Sequence, residues 1–134
     1  MDTVLLKSKL HLARVTQVLP DYEGSLTIDR ALMDAVKLAP YEKVLVSNAA
    51  NANRFETYAI PAPAGSGAIC LNGPAARLGA VGDRLVIMAF GRVPAGKARR
   101  HRPLILALDE HNRPAKGPLT PRPAQAVRRA SSGR

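Results

Sequence analysis

Between residues 4 and 17 apolar and polar side chains alternate, the period of a β-strand. A strand over 4–17 puts Leu10, Leu12 and Arg14 on one face. It puts Lys7, Lys9, His11 and Ala13 on the other, so Lys9 and His11 point the same way. A second strand is predicted over 23–28, broken at Gly24. Asp29 is placed to cap a short helix over 31–36, which must stop before Pro40. Strands follow over 43–47 and 54–60, with a turn between them at 48–53. Residues 61–67, with two prolines and two glycines, read as loop, and 68–71 as a short extended segment. One or two helical turns fit 74–78, with Pro74 near the first position. Gly82-Asp83 makes a turn, 84–90 reads as a buried strand, and 104–108 as one more. Many short strands with brief helices predict a mainly β fold, a small β-barrel.

Composition refines this picture. A chain of 134 residues is the size of one domain with a single core. No apolar run approaches the length of a membrane span, and no signal peptide is expected from the first residues. Cys70 is the one cysteine, so no internal disulfide can form, which fits a reducing cytoplasm. Between Ile69 and Leu71 it reads as a small buried hydrophobe rather than a reactive thiol.

The net charge of +10 suggests nucleic acid until it is divided. Residues 1–91 carry nine Lys/Arg and eight Asp/Glu, hence +1; residues 92–134 carry eleven and two, hence +9. The excess, with six of the eleven prolines, belongs to the C-terminal part. A core over 1–91 is therefore expected, then a partly ordered extension over 92–113 and a basic, disordered tail over 114–134. The Lys97–Arg102 run lacks interleaved aromatics for base stacking, which argues against nucleic acid as a partner. His11, His101 and His111 lack metal-ligand spacing, and no Gly-rich stretch matches a phosphate-binding loop.

Chemistry concentrates around Tyr22-Glu23-Gly24-Ser25. Alone, a Gly-Ser pair is a turn signal. Here it follows Lys9-Leu10-His11 and precedes Ile28-Asp29, Arg54-Phe55 with Thr57-Tyr58, Gly65-Ser66, Leu71-Asn72-Gly73 and Val81-Gly82-Asp83. In this order and spacing the set resembles the pyruvoyl-dependent aspartate decarboxylases over roughly residues 1–91.

That resemblance implies a six-stranded double-psi β-barrel, homotetrameric, with active sites at subunit interfaces. It implies autocatalytic cleavage between Gly24 and Ser25, giving a β chain of residues 1–24 and an α chain of residues 25–134 capped by a pyruvoyl group derived from Ser25. The Ser25 hydroxyl would attack the Gly24 carbonyl, and the ester would eliminate to dehydroalanine and hydrolyse with loss of ammonia. Gly24 leaves that attack unobstructed. Thr57 and Asn72 would take part in self-processing, Thr57 as donor to the oxyanion. The substrate, L-aspartate, would form a Schiff base with the pyruvoyl ketone and leave as β-alanine and CO2, a reaction of pantothenate biosynthesis. Tyr58 would return a proton to the substrate, since a phenol of ordinary pKa about 10 holds its proton at neutral pH. Arg54 and Lys9 would hold carboxylates, His11 and Tyr22 would line the pocket, and Thr57 is also counted among the substrate-binding residues. Backbone N–H groups of residues 73–75 would clasp a carboxylate. Pro74 departs from the family's alanine and has no N–H, so Gly73 and Ala75 are left as donors and Pro74 shapes the site.

Arg54 and Tyr58 share a strand face that Thr57 does not, so either a bulge or contributions from different subunits would be needed to unite them. The readings from other classes are an uncleaved barrel with a structural or regulatory role and a nucleic-acid binder acting through the tail. Processing could be spontaneous or need a maturation factor.

Overall fold

The computed structural model describes residues 1–115 of the chain. The expected disorder of 114–134 falls, beyond its first two residues, outside them. The elements are β1 (Asp2–Arg14), β2 (Gln17–Leu19), β3 (Ser25–Asp29), α1 (Arg30–Ala35), β4 (Lys43–Asn48), β5 (Arg54–Ala62), β6 (Ile69–Asn72), β7 (Arg84–Pro94) and β8 (Leu104–Ala107). Two short 3-10 helices, Gly73–Arg77 and Ala95–Arg100, flank β7. The fold is mainly β, as expected.

All eight strands belong to one mixed sheet in the order β2-β6-β3-β5-β4-β7-β1-β8. Only Val15 and Thr16 separate β1 from β2, yet β2 pairs with β6, far from β1 in that order. Thr16 carries the chain across: its N–H donates to the Ile69 carbonyl at 2.8 Å, and its Oγ1 accepts from the Ile69 N–H at 3.0 Å. The sheet thereby returns on itself, with β1 and β2 acting as one bent strand in a ring of six. β8 is added alongside β1, parallel to it. Leu10, Leu26, Ile28, Leu71, Leu85 and Ile87 are fully buried. Burying a side chain of this size contributes about 1.5–3 kcal/mol relative to exposure.

One expected face assignment is overturned. Ala13, placed with Lys9 and His11 by strict alternation, is fully buried, as is Val15. The reason is a register shift between His11 and Ala13, where Leu12 takes φ 65°. An inserted residue sends every later side chain to the opposite face. Arg84 supports this bulge: Nε donates to the Leu12 carbonyl at 2.7 Å and Nη2 to the Leu108 carbonyl at 2.9 Å.

Several boundaries also move. The strand expected from residue 23 starts at Ser25. β5 extends through Pro61, expected as loop, because that stretch pairs in parallel with β3, Ile28 opposite Pro61. β7 continues to Pro94 because its second half pairs with the start of β1, as far as Asp2 opposite Pro94. Asp29 caps α1 as expected, accepting from the Ala31 N–H at 2.8 Å. The same carboxylate accepts from Gly65 and Gly67 at 3.0 and 2.9 Å, which fastens the following loop to a six-residue helix too short to stand alone.

Among the described residues after β7, Asn112 fastens the chain to the barrel. Asn112 is buried; its Oδ1 accepts from the Arg14 N–H at 2.7 Å, and its Nδ2 donates to the carbonyls of Arg14 and Gly67. Among the described residues, no helix is long and apolar enough to cross a membrane.

Candidate active site

β3 and β6 run antiparallel with Ser25 opposite Asn72 and Thr27 opposite Cys70. Residues two apart on a strand share a face, so these four side chains form a square. Asn72 occupies its centre of bonding. Its Nδ2 donates to Ser25 Oγ and to Thr27 Oγ1, each at 2.8 Å, and its Oδ1 accepts from Cys70 Sγ at 3.1 Å. Ser25 and Asn72 are fully buried within it. Cys70 is buried too, and burial pushes its thiol pKa up, which keeps the S–H donor.

The Gly24–Ser25 peptide meets the start of the helix Gly73–Arg77. Gly73 has φ +62°, and a Cβ there would lie 2.8 Å from Gly24 N, Gly24 Cα and the Tyr22 carbonyl oxygen. Only a glycine permits this backbone contact. A Cβ built on Gly24 itself would meet Pro74 Cδ at 3.6 Å, an ordinary van der Waals contact.

A cleft of about 360 Å³ opens over this junction. Gly24, Thr57, Tyr58, Asn72, Pro74 and Ala75 line it, with Phe55, Glu56 and Leu78 completing its walls. β4 and β5 pair from Lys43–Tyr58 to Ser47–Arg54 with no register shift, so no bulge unites Thr57 with the face that Arg54 and Tyr58 share. The cleft lining takes in Thr57 and Tyr58 but not Arg54. The Tyr58 ring leans on Tyr41, centroids 6.3 Å apart. Glu56 is ion-paired to Lys43 at 2.9 Å.

The cleft lining contains no lysine or arginine. Lys9, His11, Tyr22 and Arg54, expected at the site, are not among its walls. Tyr22 is exposed, and its carbonyl rather than its ring approaches Gly73. Arg54 and His11 lie in one cross-strand row on the outer face: Arg54 is opposite Ser47, Ser47 opposite Val86, and Val86 opposite His11. His11 Nδ1 and Ser47 Oγ are buried without a hydrogen-bond partner. Burial, with the Lys9 and Arg84 charges beside it, pulls the His11 pKa below its ordinary 6.5.

Sequence reasoning missed Thr27 and Cys70 as site residues. The signal was present as spacing: each lies two residues from a recognised site residue on the same strand, Thr27 from Ser25 and Cys70 from Asn72.

The profile of the family described as Aspartate decarboxylase matches residues 1–115. The chain belongs to the aspartate decarboxylase family. A relative from Syntrophobacter fumaroxidans named Aspartate 1-decarboxylase is 51% identical over 114 residues, covering 85% of this chain and 92% of the relative. Relatives of the same name from Salinibacter ruber and Heliobacterium modesticaldum are 50% and 49% identical. The alignments cover 84% of this chain in both cases, with 77% and 86% of the respective relatives. Membership reaches past the barrel ring to β8 and the Asn112 turn, since the family match ends at residue 115.

Proposed function

We propose that the chain cleaves itself between Gly24 and Ser25 and then decarboxylates L-aspartate to β-alanine and CO2, as an enzyme of pantothenate biosynthesis. The observation that carries this is the buried Ser25 hydroxyl, held by Asn72 at 2.8 Å beside a glycine peptide that opens to a cleft.

Cleavage begins as an acyl shift. Ser25 Oγ bonds to the Gly24 carbonyl carbon, the Gly24–Ser25 C–N bond breaks, and the hydroxyl proton ends on the freed amine. An amide becomes an ester with no other reagent. Thr57, which lines the same cleft as Gly24, serves as donor to the transient oxyanion. Elimination then removes the Ser25 Cα proton and breaks the Cβ–Oγ bond, so Gly24 leaves as a carboxylate. Asn72 Nδ2 donates to the same oxygen at both stages. Water converts the remaining enamine to a ketone and releases ammonia, leaving the pyruvoyl group.

The surroundings fit this group: small residues, Gly24, Pro74 and Ala75, line the cleft, and Asn72 and Thr27 supply polar partners. When formed, it supplies the carbonyl electron sink that decarboxylation of an α-amino acid requires. Within the cleft, Tyr58 holds the proton returned to the substrate. The N–H groups of Gly73 and Ala75 receive a carboxylate, and Pro74, without an N–H, shapes that end.

A substrate with two carboxylates needs cations that these walls lack. We assign them to Lys9 and Arg54 of neighbouring copies in a homotetramer, with His11 and Tyr22 beside them at the subunit interface. Support comes from the outer sheet face, where Lys9, His11 and Arg54 accompany Leu45, Val86 and Met88, and from exposed Phe90. A cytoplasmic location fits the single cysteine, which is free. Incubating purified protein with aspartate or glutamate tests the substrate: β-alanine from aspartate alone supports the proposal, and equal turnover of glutamate contradicts it.

A further inference from the structure

Asn72 can meet Ser25 in two ways. With Nδ2 toward Ser25 the amide donates to Oγ. Rotated by half a turn about its last side-chain bond, it would present Oδ1 and accept the serine proton instead. Neither neighbour on that side forbids the rotation, because Ser25 and Thr27 are hydroxyls and can donate or accept. The fourth corner of the square breaks the tie. A protonated thiol opposite Oδ1 offers one hydrogen, and the Cys70 Sγ to Asn72 Oδ1 distance is 3.1 Å.

We propose that Cys70 is a positioning residue for self-processing: its S–H donates to Asn72 Oδ1 and so fixes the amide with both N–H groups aimed at Ser25 and Thr27. The inference rests on cleavage at Gly24–Ser25. Its chemical consequence lies at Oγ. In the acyl shift Oγ gains the bond to the Gly24 carbonyl carbon while its proton passes to the departing nitrogen. A donor on Oγ stabilises the alkoxide character that develops before the proton has moved. An amide oxygen in its place is too weak a base to take the proton and would leave that developing charge without a donor. The thiol also polarises the amide, so the donated N–H bonds strengthen along the chain Cys70–Asn72–Ser25. Thr27 completes the arrangement by occupying the second N–H at 2.8 Å.

The test follows cleavage of freshly made precursor by denatured mass against time in wild type, Cys70→Ala and Cys70→Ser. The expected result is cleavage slowed roughly tenfold in Cys70→Ala, the factor that about 1.4 kcal/mol in a barrier represents. Cys70→Ser, which keeps a donor, restores the rate. Wild-type speed in Cys70→Ala, or equal slowing in both variants, overturns the proposal. Wild type that never cleaves, even with cell extract, removes the self-processing reading and this inference with it.

A second readout does not need an altered Cys70 to fold. The chain has one cysteine, so the infrared S–H stretch of the Ser25→Ala precursor reports Cys70 alone. A band lowered by hydrogen bonding, returning to the free-thiol position when Asn72→Ala is added, supports the assignment. A free-thiol band in the Ser25→Ala precursor overturns it.

Discussion

Gly73 stands against Gly24 so closely that a Cβ at position 73 would lie 2.8 Å from both the N and the Cα of Gly24. The contact joins the turn into β3 to the helix that borders the cleft, and it positions the peptide that is cleaved. Replacing Gly73 by alanine forces a clash with backbone and places a side chain at φ +62°. The left-handed conformation alone costs about 1–2 kcal/mol. Gly73→Ala is expected to lower the melting temperature and to abolish cleavage, read by thermal unfolding and denatured mass on the same sample.

Thr57 is the proposed oxyanion donor in the cleft wall. Loss of one such donor typically slows a reaction about 10²–10³-fold. Thr57→Val keeps the shape of the side chain and its β-branch, so cleavage should slow on that order while the melting temperature changes little. Uncleaved precursor remaining after the wild type has finished is the readout; normal cleavage removes Thr57 from the role.

Pro74 lines the cleft and has no N–H to offer the carboxylate proposed to bind beside it. Pro74→Ala adds that donor and should lower KM for aspartate, with kcat much less affected. Steady-state kinetics decides the point, and an unchanged KM counts against carboxylate binding at this end of the cleft.

Two groups predict how stability depends on acid. His11 titrates below 6.5 in the folded chain because of burial and the Lys9 and Arg84 charges. Between the folded and unfolded values the unfolded chain binds the extra proton. The contribution is therefore complete above about pH 6.5 and is lost as pH falls toward the folded value. Asp83 is held below 3.8 by hydrogen bonds from Asn48 and the Ala80 N–H, so its contribution is lost at lower pH, below about 3.8. Urea midpoints measured against pH should fall in both windows. His11→Gln should remove the upper step and leave the lower one.

The strands were legible because their alternation follows from the pleat, and Asp29 was legible as a cap because its side chain acts on its own neighbourhood. A small barrel was expected from the strands, but the place where it closes was not legible, since it depends on Thr16 meeting Ile69, 53 residues away. Nor was the bulge at Leu12. A leucine at positive φ carries no local signal, and what supports it is Arg84, 72 residues distant. At the site, the motif order led to Gly24, Thr57, Tyr58 and Asn72, which line one cleft, and to Ser25, which Asn72 holds by a hydrogen bond. Lys9, His11 and Arg54 were read from the same motifs, yet they lie on the outer sheet face. The motif records which residues go together, and in the proposed homotetramer a neighbouring copy would bring this outer face to the cleft.

The denatured intact mass of the purified protein tests the central claim most directly. Two chains, divided after Gly24, with the larger one ammonia lighter than a serine-ended chain, is the predicted result. A single chain of full mass that persists through warm incubation with cell extract would contradict it.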